Sequence, residues 1–312
     1  MLPARVAYVN YGWKRPTTRP FRSPVITIDS SRPNLDSPLR YPGGKSSLTG
    51  FLTTCVGLMP SPAVTYVEPY AGGAGAGISL LVRNRIARLV INDLDPAVHS
   101  FWRAVLEESA RFVERIQSIP LTLSEWDRQK SIYRAGRRDR WFELGFAFFY
   151  LNRTNRSGVL NAGVIGGRAQ AGRYKIDARF NRDQLVERVR SIEARADRIE
   201  LHCADGRRLI ETFATVPDAL IYADPPYVQM GGSLYLNAFT ELDHELLATC
   251  LHRNRDAWWV LTYDNSPLVR SLYGDCHLGE YRLHWSAGNK GMSNELFALS
   301  DPLAAALREH SS

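Results

Sequence analysis

Cysteine is scarce in this chain. Four residues in 312 (Cys55, Cys203, Cys250 and Cys276) lie far apart and form no C-x-x-C pair. That pattern argues against a disulfide framework and a thiolate zinc site, and leaves packing roles in a reduced compartment. The seven histidines are equally scattered. His244-Glu245 does not extend to H-E-x-x-H, and no carboxylate or thiolate accompanies His277 and His284 at a ligand spacing, so no metal is expected. Long apolar runs are also missing: none approaches the roughly 18 residues that cross a bilayer. The start, "MLPARVAYVNYGWKRP", lacks the apolar centre of a signal peptide, and a cytoplasmic protein without membrane partners is expected.

What is present is ordinary in bulk and uneven in detail. Hydrophobic residues make up 45% and charged residues 23%, as in a globular protein with a full core. The net charge of +7 is concentrated: residues 128–198 carry 17 Lys/Arg against 7 Asp/Glu, a net +10, and the remainder nets −3. Part of this is a solvated helical face, but an excess of this size in one segment favours a polyanionic partner.

Residues 1–36 are rich in Arg, Pro, Thr and Ser and read as an irregular basic leader, with one short strand at "PVITI". Strand-like and helical patterns then alternate. "VTYVEPY" precedes a glycine-rich turn and the helix "GISLLVRNRI"; "RLVINDLD" precedes the helical "PAVHSFWRAVLEES". Residues 108–198 break the rhythm with an apolar helix, "RWFELGFAFFYLNR", a Gly- and Arg-rich loop and a polar helix. It resumes at "IELHCADG", "ALIYADPPY" and "AWWVLTYDNS" and ends in a hairpin. Such alternation implies an α/β fold, a doubly wound, mainly parallel sheet, with a smaller, mostly helical module inserted. The expected divisions are 1–36, 37–107 (first part of the core), 108–198 (inserted module) and 199–312 (second part of the core).

Four motifs carry chemistry. In "VEPYAGGAGAGIS", glycines between a strand and a helix allow close approach of a ligand to free helix amides. Their spacing is not G-x-G-x-x-G, which argues against a dinucleotide oxidoreductase. Asp93, ending the next strand, is placed to accept from ribose hydroxyls, whereas Asp95 before Pro96 fits a helix cap. In "LRYPGGKSSL", Lys45 opens a helix, where a cation opposes the dipole and calls for an anionic partner. Finally, "ALIYADPPYV" ends an apolar strand with Asp224, Pro225, Pro226 and Tyr227, at the strand end where ligands of such sheets bind. A capped Pro-Pro turn is the purely structural alternative.

Together and in this order, the motifs resemble those of DNA adenine-N6 methyltransferases of the Dam type, over most of residues 37–300. "LRYPGGK" is similar to the family's amino-terminal motif, "YVEPYAGGAGAG" to its methyl-donor loop, "INDLDP" to its ribose-binding acid and "ADPPY" to its catalytic motif. The resemblance implies S-adenosylmethionine as donor, with candidate donor-binding residues Tyr41, Lys45, Glu68, Tyr70, Gly73, Gly75, Asp93, Asp205 and Asp224. It implies double-stranded DNA as partner and N6 of a flipped adenine as acceptor. Asp224 and the Pro225 carbonyl would accept the two amino hydrogens, the prolines would fix the turn, and Tyr227 would stack on the base.

"FFYLNRTNRSGVLN" falls in the family's target-recognition region, and Arg153, Arg156, Asn161, Arg168, Arg173 and Lys175 are the candidate DNA contacts. Arg156 stands where the best-known members carry an aromatic wedge, and Asn161 where they place a guanine-reading arginine. Their GATC target is therefore not carried over. Cytosine-N4 methylation and a catalytically inactive DNA-binding homologue are the alternatives, and a cognate restriction endonuclease is a possible partner. The resemblance places such a protein in bacteria or their phages.

Overall fold

The short apolar runs that the sequence marks as strands join one sheet. The computed structural model describes residues 36–40, 48–228, 239–285 and 291–310. The "PVITI" segment and the candidates Tyr41 and Lys45 lie outside them. Among the described residues, seven strands form one sheet in the order β3-β2-β1-β4-β5-β7-β6. They are β1 Thr65–Glu68, β2 Arg88–Asn92, β3 Ile199–His202, β4 Ala219–Ala223, β5 Trp258–Asp264, β6 His277–Trp285 and β7 Gly291–Leu299. The first five pair in parallel, and β7 runs antiparallel to both β5 and β6.

The sheet is buried on both faces because its strands are apolar at successive positions, as parallel strands must be when helices cover both sides. Alternation then divides the core in two. Tyr66, Leu89, Leu220 and Val260 face one cluster, while Val67, Val90, Ile221 and Leu261 face the other. The second face is covered by α8 (Gly206–Phe213), α9 (Glu241–Arg253) and α10 (Pro267–Leu272), through Leu209, Ile210, Leu247, Leu251 and Val269.

The first face is covered by α1 (Thr49–Gly57), α2 (Gly75–Val82) and α3 (Pro96–Glu107), and by helices of the basic segment. Those are α4 (Ser109–Ser118), α5 (Leu123–Ala135), α6 (Trp141–Thr154) and α7 (Arg182–Glu193). Residues 108–198 do not carry a separate core. Phe101 of α3 packs against Phe112 of α4 and against Phe148 and Phe149 of α6, all in the same buried cluster. Helices α3 and α6 approach so closely at Gly145 that a Cβ there would lie 2.4 Å from the Ser100 carbonyl group. The last helix, α11, spans Asp301–His310.

Strand order reverses around β1 and β4: β2 and β3 extend to one side, β5, β7 and β6 to the other. The carboxyl ends of β1 and β4, at Glu68 and Ala223, therefore border the crevice where such sheets bind ligands.

Candidate active site

At the end of β1 the chain enters the glycine-rich loop, and nearly every polar group of that loop is tied down. The Ala71 amide donates to the Asn92 carbonyl (2.9 Å) and the Gly72 amide to Asp93 Oδ2 (2.9 Å). Trp102 Nε1 donates to the Gly72 carbonyl (2.9 Å) and Ser37 Oγ to the Gly73 carbonyl (2.6 Å). Gly72 sits at φ 46° and Ala74 at φ 43°, the left-handed region that glycine enters freely and alanine at some cost. This turn aims the first residues of α2 at the crevice. A Cβ on Gly75 would meet no atom within 4 Å, so the first turn of α2 opens onto free space.

Glu68 supports the loop from beneath. Its Oε1 accepts from the Gly77 amide at 2.7 Å, and the side chain is 4% exposed. Burial, with a smaller contribution from the Asp224 charge, pushes its carboxyl up to about 8, against the pull of the Gly77 amide. A Cβ on Gly77 would lie 2.9 Å from that Oε1 and 2.6 Å from Leu89 Cδ1, which is why glycine stands there.

Asp95 is the helix cap the sequence suggests, and Asp93 is held by the backbone of the loop. Asp95 caps α3 through Oδ1 to the Ala97 amide (2.7 Å), with Pro96 in the first turn. Asp93 accepts the Gly72 amide on Oδ2 and the Asp95 amide on Oδ1, both at 2.9 Å. Burial raises its carboxyl to about 6 despite those amides. Each oxygen keeps a further lone pair, so a ribose hydroxyl can still be accepted. Sequence reading passed over Asn92, which is fully buried and joins two loops: Nδ2 donates to the Pro69 and Ala204 carbonyls (2.8 and 2.9 Å), and Oδ1 accepts the Ala204 amide (2.9 Å). A polar residue closing the apolar run "RLVIN" was the signal.

Tyr70 lies against Gly206, where a Cβ would meet the ring at 2.5 Å, and against Phe239 at 5.7 Å between centroids. Its buried hydroxyl has no hydrogen-bond partner among the described residues. Asp205 caps α8 and is held by Arg207, whose guanidinium keeps the carboxyl below its usual range. It is thus a paired, capping carboxylate.

The turn after β4 is braced by β5 and β7. Thr262 Oγ1 donates to Asp224 Oδ1 at 2.8 Å, and the Val228 amide donates to Asp264 Oδ1 at 3.0 Å. Tyr227 is 8% exposed, packs 6.3 Å from Tyr263 and donates its hydroxyl to Glu295 Oε2. The same oxygen accepts from Tyr281 at 2.6 Å. Glu295, fully buried, was also missed, because a glutamate in "NELFALS" looks like any solvent-facing strand residue.

The candidate DNA contacts separate into three groups. Arg156, Asn161, Arg173 and Lys175 are exposed. Arg168 is exposed but makes a bidentate pair with Asp127 at 2.8 and 2.9 Å. Arg153 departs from the expectation of a surface contact: it is 8% exposed and its Nε has no partner among the described residues. Burial first, then the charges of Arg188, Arg40 and Arg179, pull its guanidinium down to about 9. The loop they occupy is organised by Asn155, which takes the Trp126 indole N–H on Oδ1 (2.7 Å) and donates to the Val159 and Leu160 carbonyls (3.0 Å each).

Among the described residues one group offers three metal-ligand side chains, His252, Asp275 and Cys276, at the opposite edge of the sheet. Its imidazole is engaged by the Leu272 carbonyl (2.8 Å) and the Cys276 thiol (3.8 Å). No helix among the described residues is long and apolar enough to cross a membrane.

The family model of the D12 class N6 adenine-specific DNA methyltransferases matches residues 41–287. The chain belongs to this family. It is 21% identical over 220 residues to the Type II methyltransferase M.MjaIII of Methanocaldococcus jannaschii, covering 66% of this chain and 73% of that protein. It is 22% identical over 262 residues to the Type II methyltransferase M.CviBI of Paramecium bursaria Chlorella virus NC1A, covering 81% and 94%. With the modification methylase StsI of Streptococcus sanguinis it shares 24% identity over 220 residues, 67% of this chain but only 31% of that longer protein. The protein is thus an adenine-specific DNA methyltransferase, and S-adenosylmethionine is its methyl donor. Cytosine-N4 methylation and an inactive homologue are not favoured.

Proposed function

We propose that the protein flips one adenine out of duplex DNA into the crevice between β1 and β4 and methylates it there. The observation that carries this reading is the placement of Asp224: one step past β4, beside the open glycine loop, with its carboxylate held by Thr262. The amino nitrogen of adenine is a poor nucleophile because its lone pair is delocalised into the ring. Asp224 and the Pro225 carbonyl accept its two N–H groups and draw it toward a tetrahedral geometry. The two prolines hold the carbonyl in place, and positioning supplies most of the rate. Tyr227, anchored through its hydroxyl to Glu295, supplies the aromatic ring on which the base stacks.

The residues around the loop fit the methyl donor. The first turn of α2 suits a carboxylate, Asp93 suits ribose hydroxyls, and the unpartnered Tyr70 hydroxyl suits a polar group. Bound there, S-adenosylmethionine supplies a methyl group already activated by its sulfonium.

Exposed Arg156, Asn161, Arg173 and Lys175 take the DNA, with recognition vested in residues 152–168. Arg153, buried beside the guanidinium groups of Arg188, Arg40 and Arg179, suits a backbone phosphate. The likeness to modification methylases supports a role alongside an endonuclease of the same recognition sequence. Labelled donor, mixed-sequence DNA and mass analysis of the nucleosides test the reaction. Asp224→Ala abolishes transfer with the fold retained; undiminished methylation by that variant overturns the assignment.

A further inference from the structure

Asp224 has a buried supporting chain behind it. Tyr222 and Asp224 are two residues apart and share a face of β4, as Val260 and Thr262 share the matching face of β5. Tyr222 pairs with Val260 and Ala223 with Leu261, so the next step in register brings Thr262 alongside Asp224. There Thr262 Oγ1 donates to Asp224 Oδ1 at 2.8 Å, and the Tyr222 hydroxyl lies 3.0 Å from the same Oγ1. Thr262 is 1% exposed and Tyr222 3% exposed, so water does not compete for these bonds.

The direction of the chain follows from proton counting. A threonine hydroxyl has one proton and two acceptor sites. Its proton goes to the carboxylate, so Tyr222 donates to Thr262, and Thr262 donates to Asp224. Were Tyr222 absent, the threonine rotor would lose the partner that commits its proton.

We propose that Thr262 is a positioning residue for methyl transfer, with Tyr222 setting the direction of its hydrogen bond. The inference rests on the role given above to Asp224 as acceptor of the amino hydrogens. The terminal torsion of an aspartate is broad and nearly two-fold, so an unsupported carboxylate would present either oxygen in a range of orientations. The Thr262 bond selects one orientation before the base arrives, and the reaction does not have to organise it.

The test compares Thr262→Val, Thr262→Ser, Tyr222→Phe/Thr262→Val and Asp224→Ala in single-turnover methylation at saturating donor and DNA. Donor and DNA dissociation constants are measured alongside. Thr262→Val keeps the side-chain shape and removes the hydroxyl. It lowers the single-turnover rate about ten- to a hundredfold, with both dissociation constants within about twofold. Thr262→Ser restores the rate to within about threefold, which a loss of packing alone would not predict. The double variant removes the hydroxyl that Thr262→Val would leave unpaired, and it shows the same rate loss if the single variant folds poorly.

Wild-type rates in a folded Thr262→Val or double variant, with Asp224→Ala inactive, overturn the positioning role. So does a Thr262→Ser variant as slow as Thr262→Val. Activity in Asp224→Ala instead removes the reading of the base pocket on which the inference stands.

Discussion

Asn152 and the backbone of Arg40 exchange two hydrogen bonds of 2.7 Å, amide to Oδ1 and Nδ2 to carbonyl, across 112 residues of chain. The same Nδ2 reaches the Gly158 carbonyl at 3.1 Å. One buried amide therefore ties the start of the amino-terminal motif to the recognition loop. Gly158 makes room for it: at φ 77°, its absent Cβ would lie 2.7 Å from the Arg40 carbonyl oxygen. Asn152→Ala removes three hydrogen bonds and leaves buried partners unpaired, a cost of about 2–4 kcal/mol at roughly 1 kcal/mol or more per bond. Gly158→Ala adds strain and a clash, and costs about 1–3 kcal/mol. Denaturant titration measures both, and a loss below about 0.5 kcal/mol for either would contradict the clamp.

Arg153 is expected to be costly to the free protein and useful to the complex. Its guanidinium is buried among Arg40, Arg179 and Arg188 with Nε unpaired. Arg153→Met keeps much of the volume and removes the charge. The free variant is as stable as wild type or more so, because an uncompensated buried charge is gone. Its DNA affinity falls, and the slope of log K against log salt becomes shallower by about 0.9, the share of one phosphate contact. An unchanged slope would place Arg153 away from the DNA backbone.

Glu295 holds two phenols on one oxygen from a fully buried position. Glu295→Gln retains an acceptor for both hydroxyls, and Glu295→Ala retains none. The alanine variant loses about 2–4 kcal/mol, with Tyr227 and Tyr281 both left unsatisfied. The glutamine variant loses less, and its donor affinity stays near wild type while methylation slows. Equal stability of the alanine variant and wild type would show that Tyr227 is not anchored in this way.

Glu68 gives the stability a pH dependence of known sign. Its carboxyl rises from an ordinary value of 4.5 to about 8 on folding. The folded state therefore binds the proton more tightly than the unfolded state. The contribution is complete below pH 4.5 and is lost as pH rises through about 8. Within that window the loss is at most about 1.4 kcal/mol per pH unit. Glu68→Gln keeps an acceptor for the Gly77 amide and has no charge to bury. Its stability relative to wild type therefore grows from pH 5 to pH 8 and levels off above. A constant difference across that range would remove Glu68 as the titrating group.

The alternation of "VTYVE", "RLVIN", "ALIYA" and "WWVLTYD" was readable as parallel strands because burial on both faces demands continuous apolar runs, whatever those runs pack against. Asp95 was readable as a cap because Asp-Pro at a helix start is a local preference, settled within three residues. The residues around "DPPY" stood out because a carboxylate and two prolines ending an apolar strand satisfy no local need. All of this was in the sequence by itself.

The partners of those residues were decided only in three dimensions. Thr262, Glu295, Asn92 and Asn152 are chemically ordinary in sequence, and each gains its role from a residue brought beside it by strand register or helix packing. Arg153 shows the same limit from the opposite side. A basic segment announces a polyanion, but which arginine reaches the surface depends on how α6 and α7 pack, and packing buried this one among three others. Composition sums charge along the chain, whereas a site depends on distance and on exclusion of water, and only the folded chain sets those.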